Sequence, residues 1–149
     1  MPDYQSLLLN RTKLWSQVYA PASPEQIQAV RAWGGGRLPE DYLQFFLFSN
    51  GAYGEIPVLP YWCELFEVQD VVQANADYQI AAELPDHVAI GTSGGGEVLI
   101  LNLASKPCRV ETVPAIGLEL CHVEPVADSF IDFTLMIGDV SPEFADEDS

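Results

Sequence analysis

The stretch from Val88 to Leu103 constrains this chain's fold more than any other. Two apolar runs flank Ser93-Gly94-Gly95-Gly96, four residues that no strand would hold. Glycine adopts positive φ without a Cβ clash, so the three glycines mark a tight reversal. Val98 to Leu101 is apolar at four consecutive positions, as in a strand covered on both faces. The pattern predicts a buried antiparallel hairpin at the centre of a sheet. A phosphate cradle does not fit the loop. It runs into a strand rather than a helix, no Lys-Ser or Lys-Thr follows it, and Glu97 would repel an anion at its end.

Helical periodicity places Leu7, Leu8, Leu14, Trp15 and Val18 near one face of a helix in the first twenty residues, interrupted at Asn10-Arg11-Thr12-Lys13. Ser23-Pro24-Glu25-Gln26 is a helix start with a capping box, and Gly34-Gly35-Gly36 ends that helix after Trp33. Leu38-Pro39-Glu40-Asp41 opens the next, which carries Tyr42, Leu43, Phe45, Phe46, Leu47 and Phe48 and stops at Asn50-Gly51. A helix apolar nearly all round belongs in a core. Residues 52–60 read as a loop, 61–67 as a short strand, and 68–82 as one helix. After the hairpin, 108–113 alternates like a half-exposed strand, and 120–124 is a weaker strand candidate. Ser129 and Asp132 start a last helix carrying Phe130, Phe133, Leu135 and Ile137, and Gly138 ends it. This order predicts a single α+β domain over residues 1–149, with a central, mostly antiparallel sheet flanked by helices and an acidic tail at 141–149.

Charge is distributed unevenly. Residues 1–50 balance Asp3, Glu25, Glu40 and Asp41 against Arg11, Lys13, Arg31 and Arg37. The remaining eighteen acids face two bases, Lys106 and Arg109, which accounts for the net charge of −16. No Lys or Arg occurs between Gly51 and Ile100. Such a field repels nucleic acid and anionic membranes and attracts cationic partners, although acidity also serves solubility. No basic n-region precedes Leu7-Leu8-Leu9, and no apolar run approaches the ~18 residues that span a bilayer. The expected compartment is the cytoplasm, with Cys63, Cys108 and Cys121 as reduced, buried thiols.

Reactive groups are sparse. Cys121 and His122 are adjacent, and on a strand they would point to opposite faces and could not pair. No Cys-x-x-Cys or His-x-x-x-His spacing suggests a metal, so neither cofactor nor catalysis is expected. Binding has better candidates. Tyr53, Tyr61 and Trp62 stand among Glu55, Glu64, Glu67 and Asp70, with Glu97 beyond the glycine loop, a mix of rigid aromatics and steering charges. The size of Trp62 argues for the core, whereas for the carboxylates partner contact and plain solvation both stand.

Four segments in order carry a family resemblance: Leu38-Pro39-Glu40-Asp41-Tyr42 through Phe45 to Asn50-Gly51; Glu64-Leu65-Phe66-Glu67-Val68-Gln69-Asp70-Val71; Ile90-Gly91-Thr92-Ser93-Gly94-Gly95-Gly96-Glu97; and Ala127-Asp128-Ser129-Phe130-Ile131-Asp132-Phe133. Over roughly residues 24–138 the chain resembles the SUKH superfamily, which includes fungal cell-wall-synthesis regulators and many bacterial immunity proteins. The resemblance implies an α+β domain that binds rather than catalyses. It implies a cognate protein toxin of polymorphic or contact-dependent type as partner, nucleases among them, and transfers no catalytic residue. A regulatory or scaffold module of the same fold is the alternative. The chain's own acidity adds the expectation of a basic surface on the toxin.

Overall fold

A computed structural model describes residues 3–8 and 10–140, with the side chains of Gln17 and Val18 outside the description. Its helices are α1 (Tyr4–Leu8), α2 (Pro24–Trp33), α3 (Glu40–Phe48), α4 (Val71–Asp77), α5 (Ile80–Glu83) and α6 (Phe130–Met136). Its strands are β1 (Gln17–Val18), β2 (Ala52–Glu55), β3 (Trp62–Leu65), β4 (His87–Thr92), β5 (Glu97–Asn102), β6 (Arg109–Pro114) and β7 (Glu124–Ala127). The seven strands pair in chain order, and every pairing is antiparallel. This is the α+β domain that the order of elements predicts.

The hairpin forms as expected. Val88 faces Leu101, Thr92 faces Val98, and Val98, Leu99, Ile100 and Leu101 are all fully buried. Alternate side chains enter different layers. Leu99 and Leu101 join the main core with Phe45, Phe46, Phe130 and Phe133. Val98 and Ile100 join Ile80, Leu84, Ala89 and Val113 in a smaller core on the other face. The rings of Tyr42 and Phe130 meet edge-on at 5.1 Å, and those of Phe45 and Phe130 at 5.4 Å, geometry that suits the aromatic quadrupole. The capping box at Ser23 and Gln26 closes in both directions, and Ser129 accepts from the Asp132 N–H to start α6.

Several expectations are corrected. The first twenty residues do not form one helix: α1 ends at Leu8, a 3-10 turn covers Thr12–Leu14, and β1 follows. The polar interruption breaks the helix because Arg11 turns away to bond Ile137 O at 3.2 Å and Asp139 at 3.0 Å. Residues 52–55 form β2 rather than a loop. The helix expected at 68–82 is a 3-10 turn at Val68–Asp70 followed by α4 and α5, broken where Gln79 adopts φ 56. β6 is not half-exposed, since Val110, Glu111, Thr112 and Val113 are all buried. Its polar residues are there because they are bonded: Glu111 meets His87, Asn102 and Arg109, and Thr112 donates to Val98 O. Leu120–His122 is an exposed 3-10 turn, with the strand displaced to β7. The acidic tail at 141–149 lies outside the described residues.

Candidate functional site

Register decides which predicted residues meet. Tyr53 faces Glu64 and Glu55 faces Trp62 across β2 and β3. Their neighbours Ala52, Cys63 and Leu65 point into the main core, so strand alternation puts Tyr53, Glu55, Trp62 and Glu64 together on the opposite face. No helix among the described residues covers that face, and Trp62 is only half-buried there, not a core residue. Its indole N–H donates to Glu64 Oε2 at 2.8 Å, which orients both side chains.

The glycine loop borders this face. Gly94 has φ 73, and a Cβ there would overlap the Glu64 carboxylate and sit 3.5 Å from the Trp62 ring. Only glycine lets the loop pack so closely. Glu97 acts within the loop instead. It accepts from Ser93 Oγ at 2.6 Å, and Ser93 Oγ accepts from the Glu97 and Gly95 N–H groups. These bonds close the loop from the far side.

Glu67 and Asp70 are brought in by a residue with no predicted role in the site. Asn50 Oδ1 accepts from the Val68 N–H at 2.7 Å, and Asn50 Nδ2 donates to Gln69 at 3.1 Å. This clamps the turn between β3 and α4. Gly51, at φ 113, lies between the Tyr19 ring and Glu67, where a Cβ would stand 3.4–3.5 Å from each. A hollow of about 150 Å³ results, lined by Tyr19, Tyr53, Glu64, Glu67, Asp70 and Thr92. The Tyr19 and Tyr53 rings meet edge-on at 5.9 Å. Burial, the hydrogen bond to Tyr53 and the charges of Glu67 and Glu64 push the Tyr19 phenol up to about 12.

None of the ion pairs among the described residues involves Glu64, Glu67 or Asp70, whereas Arg11, Arg31, Arg37 and Arg109 are all paired elsewhere. The structure therefore brings Tyr53, Glu64, Glu67 and Asp70 to one hollow, sets Glu55 and Trp62 on the same face of β2 and β3, and separates Tyr61 and Glu97, which line a groove toward β6 and β7. Sequence reasoning missed Tyr19 because its strand neighbourhood reads as helix. It missed Asn50 because Asn-Gly is a complete helix-stop signal by itself.

The cysteines divide. Cys63 and Cys108 are buried, and burial pushes the Cys63 thiol up to about 12. Cys121 is exposed, contrary to expectation, because its segment is a surface turn. The strand argument against a Cys121–His122 pairing therefore lapses. Donor atoms of Glu119, Cys121 and His122 lie within 4.8 Å of one another, the one such metal-type group among the described residues. The group is open to water, and the hydrogen bond to Glu119 pushes the Cys121 thiol up, away from the thiolate that nucleophilic or ligand chemistry needs.

No helix among the described residues is long and apolar enough to cross a membrane. No curated protein sequence matches the chain. The model of the SMI1 / KNR4 family (SUKH-1) matches residues 21–136, from the start of α2 to the end of α6. That span contains every strand but β1 and nearly all of the acidic face, and the chain belongs to the SMI1 / KNR4 family (SUKH-1).

Proposed function

We propose that this chain is a non-enzymatic immunity protein that neutralises a cognate protein toxin by stoichiometric contact in the cytoplasm of the producing cell. The family is one whose members are commonly immunity proteins. The observation that carries the proposal is the open face of β2 and β3, where half-buried aromatics stand among carboxylates that no described cation pairs. Rigid aromatic side chains lose little entropy on contact, and unpaired carboxylates steer a basic partner. A nuclease toxin must hold an anionic backbone and so presents a basic groove, which Glu64, Glu67 and Asp70 complement. Tyr53, Glu55 and Trp62 supply the remaining contact, while Tyr61 and Glu97 stand on the separate groove.

The test is a titration of toxin activity against purified chain, using the toxic domain of the cognate toxin. Full protection at about one copy per toxin supports stoichiometric occlusion. Protection at strongly substoichiometric dose would make the chain an enzyme that inactivates the toxin. Absence of any complex with that toxin would leave the regulatory or scaffold role of the same fold.

A further inference from the structure

A second surface lies away from the acidic hollow. The loop at 57–61 and the segment from β6 to β7 bank a groove of about 900 Å³. The loop is held by its own backbone, with Ile56 N–H donating to Tyr61 O at 3.1 Å and Tyr61 N–H donating to Val58 O at 2.7 Å. Tyr61 adopts φ 70, a conformation non-glycine residues enter only when their surroundings enforce it. A loop so constrained nevertheless presents Val58 and Leu59 to water, at 39% and 65% exposure. Val113, Pro114 and Pro125 line the other bank, while Ile116 and Leu120, on the connection from β6 to β7 outside that lining, are 94% and 56% exposed. Aliphatic side chains displayed from one bank on fixed backbone, with an apolar lining across the groove, mark an interaction surface more than scattered exposure does.

Charge selects the occupant. Glu97 and Glu124 line the groove, Glu119 stands on the adjoining turn, and no Lys or Arg among the described residues lines it. We infer that this groove docks an aliphatic segment flanked by lysine or arginine, supplied by a partner protein. A second copy of the chain fits badly, because each copy carries a net charge of −16 and would set carboxylate against carboxylate. The chain's own last residues include Glu143, Asp146, Glu147 and Asp148 and meet the same objection. Simple strand addition to the outer edge of β7 is blocked in part by Pro125, which has no N–H to offer, so side-chain contact must carry the affinity.

The full chain, isotopically labelled, should be titrated by NMR with a short probe peptide bearing a Leu/Val/Pro centre and two lysines at each end. Amide shifts confined to residues 57–61 and 112–125 are expected. Leu59→Ser and Val58→Ser, both at exposed positions of the lining, should each weaken the peptide by about tenfold, and Glu124→Lys by several-fold. Glu67→Lys with Asp70→Lys, on the hollow, should leave the peptide's affinity within about twofold, so the groove is judged apart from the toxin-binding reading. A peptide with glutamate in place of lysine should not bind. Shifts scattered over the surface, equal binding of the glutamate peptide, or self-association of the chain through these same residues would overturn the inference.

Discussion

β4, β5 and β6 carry buried side chains on both faces, whereas β2 and β3 do so on one face only. The difference comes from the segments that fold back over each group of strands. α5 and the segment around Leu118 and Val123 cover one face of the central strands and complete the smaller core there. Over Trp62 and Glu64 the glycine loop packs at Gly94, and over Tyr53 the Tyr19 ring, without completing a second core. The sealed strands need apolar side chains at consecutive positions, and the half-open strands can place aromatics and carboxylates at every second one.

The largest effect separating the two regions is on stability. Phe46→Ala, in the main core, should cost ~3–5 kcal/mol in a denaturant melt, while Glu64→Gln on the open face should stay within about 0.5 kcal/mol. Equal costs would erase the distinction. An effect of similar size is expected at Asn75, which is buried and bonds both backbone groups of Ala89, accepting from its N–H at 2.8 Å and donating to its C=O at 3.0 Å. β3 pairs with β4 only at Glu64 and Leu65, and the Asn75 amide takes the place of a neighbouring strand beyond them. Asn75→Leu should cost about 1–3 kcal/mol for each backbone group left unpaired, with faster hydrogen exchange at Ala89.

The same contrast explains how much of the molecule was legible in its sequence. The hairpin, the capping box at Ser23, the aromatic helix α3 and the cap at Ser129 are local signals, each complete within a few residues, and all appear in the structure. Misreadings arose where distant contacts outvote local pattern. Arg11 breaks the first helix for a bond more than a hundred residues away, and Glu111 reads as an exposed position until His87, Asn102 and Arg109 are brought to it. The clustering of Tyr53, Glu55, Trp62 and Glu64 was half visible: their proximity in sequence was plain, but their shared face depends on residues 52–55 being a strand.

Two finer probes sharpen the contrast. The Tyr19 phenol, beside the carboxylates of the open face, is held neutral up to about 12. Its folded pKa is raised, so its contribution to stability is complete below the ordinary tyrosine pKa of about 10 and lost as pH rises toward the folded value. Phenolate absorbance should show a late-titrating group that Tyr19→Phe removes and Glu67→Gln shifts downward. The smallest effect concerns the thiols. Neutral iodoacetamide should modify Cys121 in the native protein and reach Cys63 and Cys108 only on unfolding. Because hydrogen bonding to Glu119 raises the Cys121 thiol, Glu119→Gln should increase thiolate and accelerate alkylation several-fold near pH 8. An unchanged rate would remove that hydrogen bond from the account.

The most direct measurement is the rate of association with the cognate toxin domain, taken from about 50 to 500 mM salt, where the Debye length shrinks severalfold. If the open flank is the docking face, wild-type association slows steeply as salt rises. Reversal of Glu67 and Asp70 to Lys should slow it markedly at low salt while the thermal melt stays unchanged. Association that is flat across that range, with both reversals silent, would contradict the account and leave the acidity to solubility alone.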